Sequence, residues 1–140
     1  MSDSIKLTYT VSDTDFTRAG EASSDVKKRL RQMGCDPEVI RKVAIAMYEG
    51  EINMVIHANG GEIEVEITPE DITMVLKDKG PGIPDIEKAM QAGYSTAPEN
   101  VRALGFGAGM GLPNMKKYSD EMNIETTVGV GTTVTMKVHQ

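Results

Sequence analysis

Residues 37–58 constrain the fold more than any other part of the chain. Asp36-Pro37-Glu38 writes a helix start, with Asp at the N-cap and Pro at the first helical position. Asn59-Gly60-Gly61 ends the helix and turns the chain. Around the helical wheel, Ile40, Val43, Ala44, Met47, Met54, Val55 and Ala58 share one broad side, and Ile45, Ile52 and Ile56 form a second apolar strip. A helix apolar on two sides is largely covered, so the chain must build layers around it. Between the strips runs a narrow polar stripe of Lys42, Glu49, Asn53 and His57. Glu49 and Asn53, four apart, project the same way. They enter one cavity if the stripe is covered, and face water if it is an ordinary solvated face. Glu51 breaks the pattern by projecting into the apolar side.

The flanking segments predict what covers this helix. Ile5, Leu7, Tyr9 and Val11 alternate with polar residues, as a half-buried strand does. Phe16, Ala19, Ala22, Val26, Leu30 and Met33 recur at helical spacing until Gly34 and Cys35 stop them. Strands follow at 62–67 and 72–76, then a short helix at 86–92, a long loop over 93–109 and a helix from Gly111 to about Tyr118. Strands at 122–127 and 132–138, joined by a Gly129-Val130-Gly131 turn, close the chain. The order βααββααββ predicts an α+β two-layer sandwich, a mixed but mostly antiparallel sheet with helices on one face. A chain of 140 residues without a long linker is expected to form one domain over residues 1–140.

Composition removes several function classes. Fifteen basic against 21 acidic residues give a net charge of −6, so the basic footprint of a direct nucleic-acid binder is missing. A polybasic membrane anchor and a membrane-spanning apolar run are missing too. The N-terminal residues are too polar for a secretory signal. Cys35 alone excludes an internal disulfide and a multi-cysteine zinc site. A cytoplasmic protein is expected by elimination.

Three further segments could carry chemistry. Asp78-Lys79-Gly80-Pro81-Gly82 places a carboxylate at the end of a buried strand beside bare backbone. That suits a flat polar ring whose exocyclic amine donates to the Asp, with glycine permitting close approach; a tight turn explains the same residues. Gly105, Gly107, Gly109 and Gly111 alternate immediately before a helix, leaving N–H groups for an anion, although a flexible loop has the same composition. This is neither Gly-x-Gly-x-x-Gly nor a Walker A loop. Gly129-Val130-Gly131-Thr132-Thr133 needs no role beyond a hairpin.

Taken in order, Glu49-x-x-x-Asn53, Asp78-x-Gly80-x-Gly82, the alternating glycines 105–111 and Gly129-x-Gly131-Thr132 resemble the GHKL ATPase superfamily and its Bergerat fold. Within it the chain is most similar to the small bacterial anti-sigma regulatory serine/threonine kinases, of the switch-kinase type acting on STAS-domain proteins. The resemblance implies that Asp78 binds the adenine amine of ATP, with Gly80, Gly82 and Thr132 beside the base. It implies that Asn53 holds Mg²⁺, that Glu49 is the general base, and that Gly105, Gly107, Gly109 and Gly111 form a lid over the triphosphate. The implied activity is ATP-dependent phosphorylation of Ser or Thr on a partner, a STAS-domain antagonist above all. The alternative is a non-catalytic, ATP-gated module that sequesters a sigma factor, STAS protein or regulatory phosphatase. A homodimer is compatible with either. The stretch 97–104 is longer than this branch leads one to expect.

Overall fold

The structure is a computed structural model that describes residues 4–11, 20–57, 61–78, 80 and 111–140. The expected helix at 86–92 and loop at 93–109 lie outside these residues, as do Phe16, Ala19, Gly82, Gly105, Gly107 and Gly109. Five strands, β1 (Ile5–Val11), β2 (Gly61–Ile67), β3 (Asp71–Asp78), β4 (Glu121–Thr127) and β5 (Gly131–His139), form one sheet in the order β1-β2-β3-β5-β4. Every neighbouring pair is antiparallel.

Alternation along each strand, combined with this register, makes one face apolar. Leu7, Val65, Met74, Met136 and Met122 lie in a single row across all five strands, and Tyr9, Ile63, Leu76, Val134 and Ile124 form the next. The opposite face is polar, with rows such as Lys6, Glu66, Thr73, Lys137 and Glu121. Only the apolar face needs a second layer, and the helices supply it: α1 (Glu21–Gln32), α2 (Pro37–His57) and α3 (Gly111–Lys117). Helix α2 lies between the other two and brings Ile40, Val43, Ala46, Met47, Met54 and Val55 into the core, while α1 contributes Val26 and Leu30, and α3 Met115.

The termini of the first two helices follow local chemistry. Cys35 N–H donates to the Leu30 carbonyl and Gly34 N–H to that of Arg31, the paired bonds of a Schellman ending. Gly34 has φ +75°, a left-handed conformation that suits a residue without Cβ. Because the helix ends here, Met33 is not in the apolar stripe: it is the C-cap and is 45% exposed. At the start of α2, Asp36 Oδ1 accepts the Glu38 N–H at 2.8 Å, the N-cap bond expected from Asp36-Pro37. No helix among the described residues is long and apolar enough to cross a membrane.

Candidate functional site

Asp78 is the last residue of β3 and lies on the covered side of the sheet, two residues beyond buried Leu76. The backbone ladder between β3 and β5 runs as far as Lys77 opposite Thr133. One step further, the Asp78 side chain takes over. Its Oδ1 accepts the Thr132 N–H at 3.1 Å and the Gly80 N–H at 2.9 Å. Two N–H donors on one oxygen fix the plane of the carboxylate and direct Oδ2 away from the backbone. Thr132 is 6% exposed, and its hydroxyl is 2.9 Å from that of Thr126 on β4.

At Lys42, Glu49 and Asn53, each half-buried, the polar stripe of α2 is partly covered. Helix α3 lies over Glu49 and Asn53: Asn114 Nδ2 donates to Glu49 Oε1 at 3.5 Å, and Asn53 Nδ2 approaches Met115 Sδ at 3.9 Å. Glu49 therefore meets a neutral donor. A neutral amide orients the carboxylate without taking away its basicity as a cation would.

Two glycines bring this slot towards Asp78. A Cβ on Gly50 would lie 2.3 Å from Leu76 Cδ2 and 3.2 Å from Met115 Cε, so a larger residue would have to push these buried side-chain ends aside. A mid-helix glycine costs about 1 kcal/mol relative to alanine, and the close approach is what it supports. Gly61, with φ +147°, pairs with Asp78; a Cβ there would lie 2.1 Å from the Lys77 carbonyl oxygen and 2.8 Å from Met54 Cε. The end of β3 is thus seated under the turn of α2 that carries Asn53 and Met54.

Glu51 explains its own irregularity. It is 3% exposed, and its Oε2 and Oε1 accept the N–H groups of Ala22 and Ser23, both at 3.1 Å. Helix α1 begins at Gly20, which supplies no side-chain cap, so a carboxylate from α2 caps it.

Burial raises the Glu49 carboxyl above the usual glutamate range, against a smaller lowering by Asn114. Burial likewise raises Asp78, with the Gly80 and Thr132 N–H groups opposing it. A carboxyl raised on folding binds its proton more tightly in the folded chain. Its stabilising contribution is complete below the unfolded value, about 4, and is lost as pH rises through the folded value. Without nucleotide, Glu49→Gln should therefore melt above the wild type at pH 7. The gap should close as pH falls below about 4. Melting curves across this range check it, and a gap independent of pH would contradict it.

Of the residues expected from the sequence, the structure joins Asp78, Gly80 and Thr132 directly, and places Glu49 and Asn53 together beneath α3. Gly111 is the first residue of α3. Gly50, Asn114 and Thr126 were not marked by the sequence, and Gly61 only as part of a turn. A glycine inside an otherwise regular helix, as at Gly50, is the one available local signal among the unmarked three.

Residues 12–138 match a family described as the histidine kinase-like ATPase domain. The anti-sigma F factor of Clostridium novyi (strain NT) is 33% identical over 114 residues, 77% of this chain and 76% of that protein. The serine/threonine-protein kinase RsbT of Bacillus subtilis (strain 168) is 29% identical over 128 residues, 89% of this chain and 88% of that one. A solved chain holding the RsbU and RsbW domains of Rv1364c from Mycobacterium tuberculosis has the same fold. It gives a TM-score of 0.65 at 18% identity, over 96% of this chain and 32% of that chain. By this match, and by the ordered boxes from Glu49 to Thr132, the chain belongs to the histidine kinase-like ATPase domain family, the GHKL type.

Proposed function

We propose that this chain is an ATP-dependent protein serine/threonine kinase acting as an anti-sigma-type regulatory switch, with a STAS-domain protein as substrate. The observation that carries the reading is the pairing of two half-buried carboxylates in different surroundings. Asp78 is held by backbone N–H groups at the end of a strand, while Glu49 is desolvated beside a neutral amide. These surroundings suit different tasks, a fixed acceptor at Asp78 and a desolvated base at Glu49. The names of the relatives, anti-sigma factor and serine/threonine-protein kinase, support the same reading.

In this mechanism Asp78 Oδ2 accepts the 6-amino group of adenine, and Gly80 and Gly82 leave room for the ring. Gly105, Gly107, Gly109 and Gly111 offer N–H groups to the triphosphate. Asn53 fits a magnesium ion: its amide nitrogen is turned towards Met115, and a neutral oxygen complements phosphate oxygens and water in the ligand set that ion takes. When bound, the ion would neutralise phosphate charge. Glu49 takes the proton of a Ser or Thr hydroxyl as that oxygen attacks the γ-phosphorus. A new O–P bond forms, the bond to the β–γ bridging oxygen breaks, and ADP leaves with that electron pair. Positioning and charge neutralisation supply most of what such a transfer needs.

The test is incubation with γ-labelled ATP, Mg²⁺ and STAS-domain proteins. Label on a partner Ser or Thr is the expected result. A partner that binds only with ATP and never takes label would replace the kinase by an ATP-gated binding module.

A further inference from the structure

The peptide unit between Gly131 and Thr132 is gripped at both ends. Its N–H donates to Asp78 Oδ1 at 3.1 Å. Its carbonyl oxygen, on the opposite side of the same trans amide, accepts the Thr126 hydroxyl in a long bond of 3.4 Å. The same Thr126 oxygen lies 2.9 Å from the Thr132 hydroxyl, and the two residues are directly paired across β4 and β5. Thr132 is almost fully buried, so a lost hydroxyl partner would not be replaced freely by water. Just beyond lies the exposed Val128-Gly129-Val130 turn, with Val128 64% and Val130 66% exposed. The backbone of this hairpin end thus receives side-chain support from Thr126 before it presents its N–H to Asp78.

We infer that Thr126 is a positioning residue for base recognition: its hydroxyl sets the Gly131–Thr132 peptide plane, and through it the orientation of the Asp78 carboxylate. The inference rests on the reading of Asp78 as acceptor of the adenine amine. A carboxylate free to rotate about its side-chain torsion loses the direction of Oδ2. It then distinguishes less well between a base that carries a 6-amino group and one that does not. Thr126 acts on how well nucleotide is selected, while Glu49 acts on the transfer.

The experiment compares the affinity of the full chain for ATP and for purine riboside triphosphate, which lacks the 6-amino group. The wild type should prefer ATP. Thr126→Val keeps the shape and removes the hydroxyl, and should shrink the preference about three- to tenfold, the worth of one hydrogen bond. Thr126→Ser should restore it. A role confined to hairpin stability would lower the melting temperature of Thr126→Val and leave the ratio of the two affinities at the wild-type value, which overturns the inference. If Thr126→Val does not fold, Thr126→Ala is compared in the same way. A wild type that binds both nucleotides equally removes Asp78 from the base site and the inference with it. A preference present in the wild type and unchanged in the variants removes the inference alone.

Discussion

Glu49→Gln should reduce phosphate transfer to a protein substrate by about 10²–10⁴-fold, the usual worth of a positioned base. The side chain is half-buried, its carboxyl is raised by desolvation, and its described partner is the neutral Asn114 amide. Desolvation makes it a stronger base than an exposed glutamate, and the Asn114 bond offsets that only in part. Gln preserves the size and can still accept from Asn114, so the architecture of α2 and α3 should survive. Among the described residues Glu49 makes no bond to Asp78, Gly80 or Thr132, so ATP should bind as tightly as before. The loss should then fall on kcat and kcat/KM together. In the wild type, transfer should rise with pH through the raised Glu49 value, because only the ionised carboxylate can take the proton. Steady-state rates with a phosphorylatable partner check both statements. A variant that transfers at the wild-type rate removes Glu49 from the base role.

Glu51→Ala should have the largest effect on stability. It takes the acceptors from two buried N–H groups at the start of α1 and removes a negative charge from that helix terminus. Unsatisfied buried donors and the lost charge–dipole interaction together should cost about 2–4 kcal/mol. For a chain of this size that lowers Tm by roughly 10 °C. Glu51→Gln keeps one acceptor oxygen but turns an amide N–H₂ towards the second donor, so it should fall between the two. Thermal melts of the three proteins are sufficient. An Ala variant as stable as the wild type would mean that α1 does not depend on its cap from α2. Because Glu51 lies between Glu49 and Asn53 on one helix, loosening α1 should also weaken nucleotide binding.

The features legible in the sequence were those written in neighbouring residues. Asp36-Pro37 gave its cap, Gly34 the end of its helix, and the alternation in each strand its buried side. The direction of every strand pair followed less directly, since it depends on which strands meet. Glu51 was visible as an irregularity, yet its meaning was not, because the groups it caps lie 28 and 29 residues earlier on another helix. Asn114 was hidden for the same reason, being 65 residues from Glu49. Gly50 carries a distance rather than a chemistry: its significance is the closeness of Leu76, which no local pattern encodes. Asp78 stands between these cases. Its type and its neighbouring glycines suggested a role, while the N–H of Thr132, 54 residues away, gives the carboxylate its direction.

The ATP site itself is tested most directly by thermal titration of the wild type and Asp78→Asn with ATP and Mg²⁺. At a ligand concentration 100 times Kd, the wild type should gain about 2.7 kcal/mol, a rise of many degrees in Tm. In the variant, the N–H groups of Gly80 and Thr132 should hold the amide oxygen where Oδ1 was. The amide N–H₂ is then turned towards the adenine amine, donor against donor, and the ATP-dependent rise should disappear. An Asp78→Asn protein stabilised by ATP as strongly as the wild type would contradict the account.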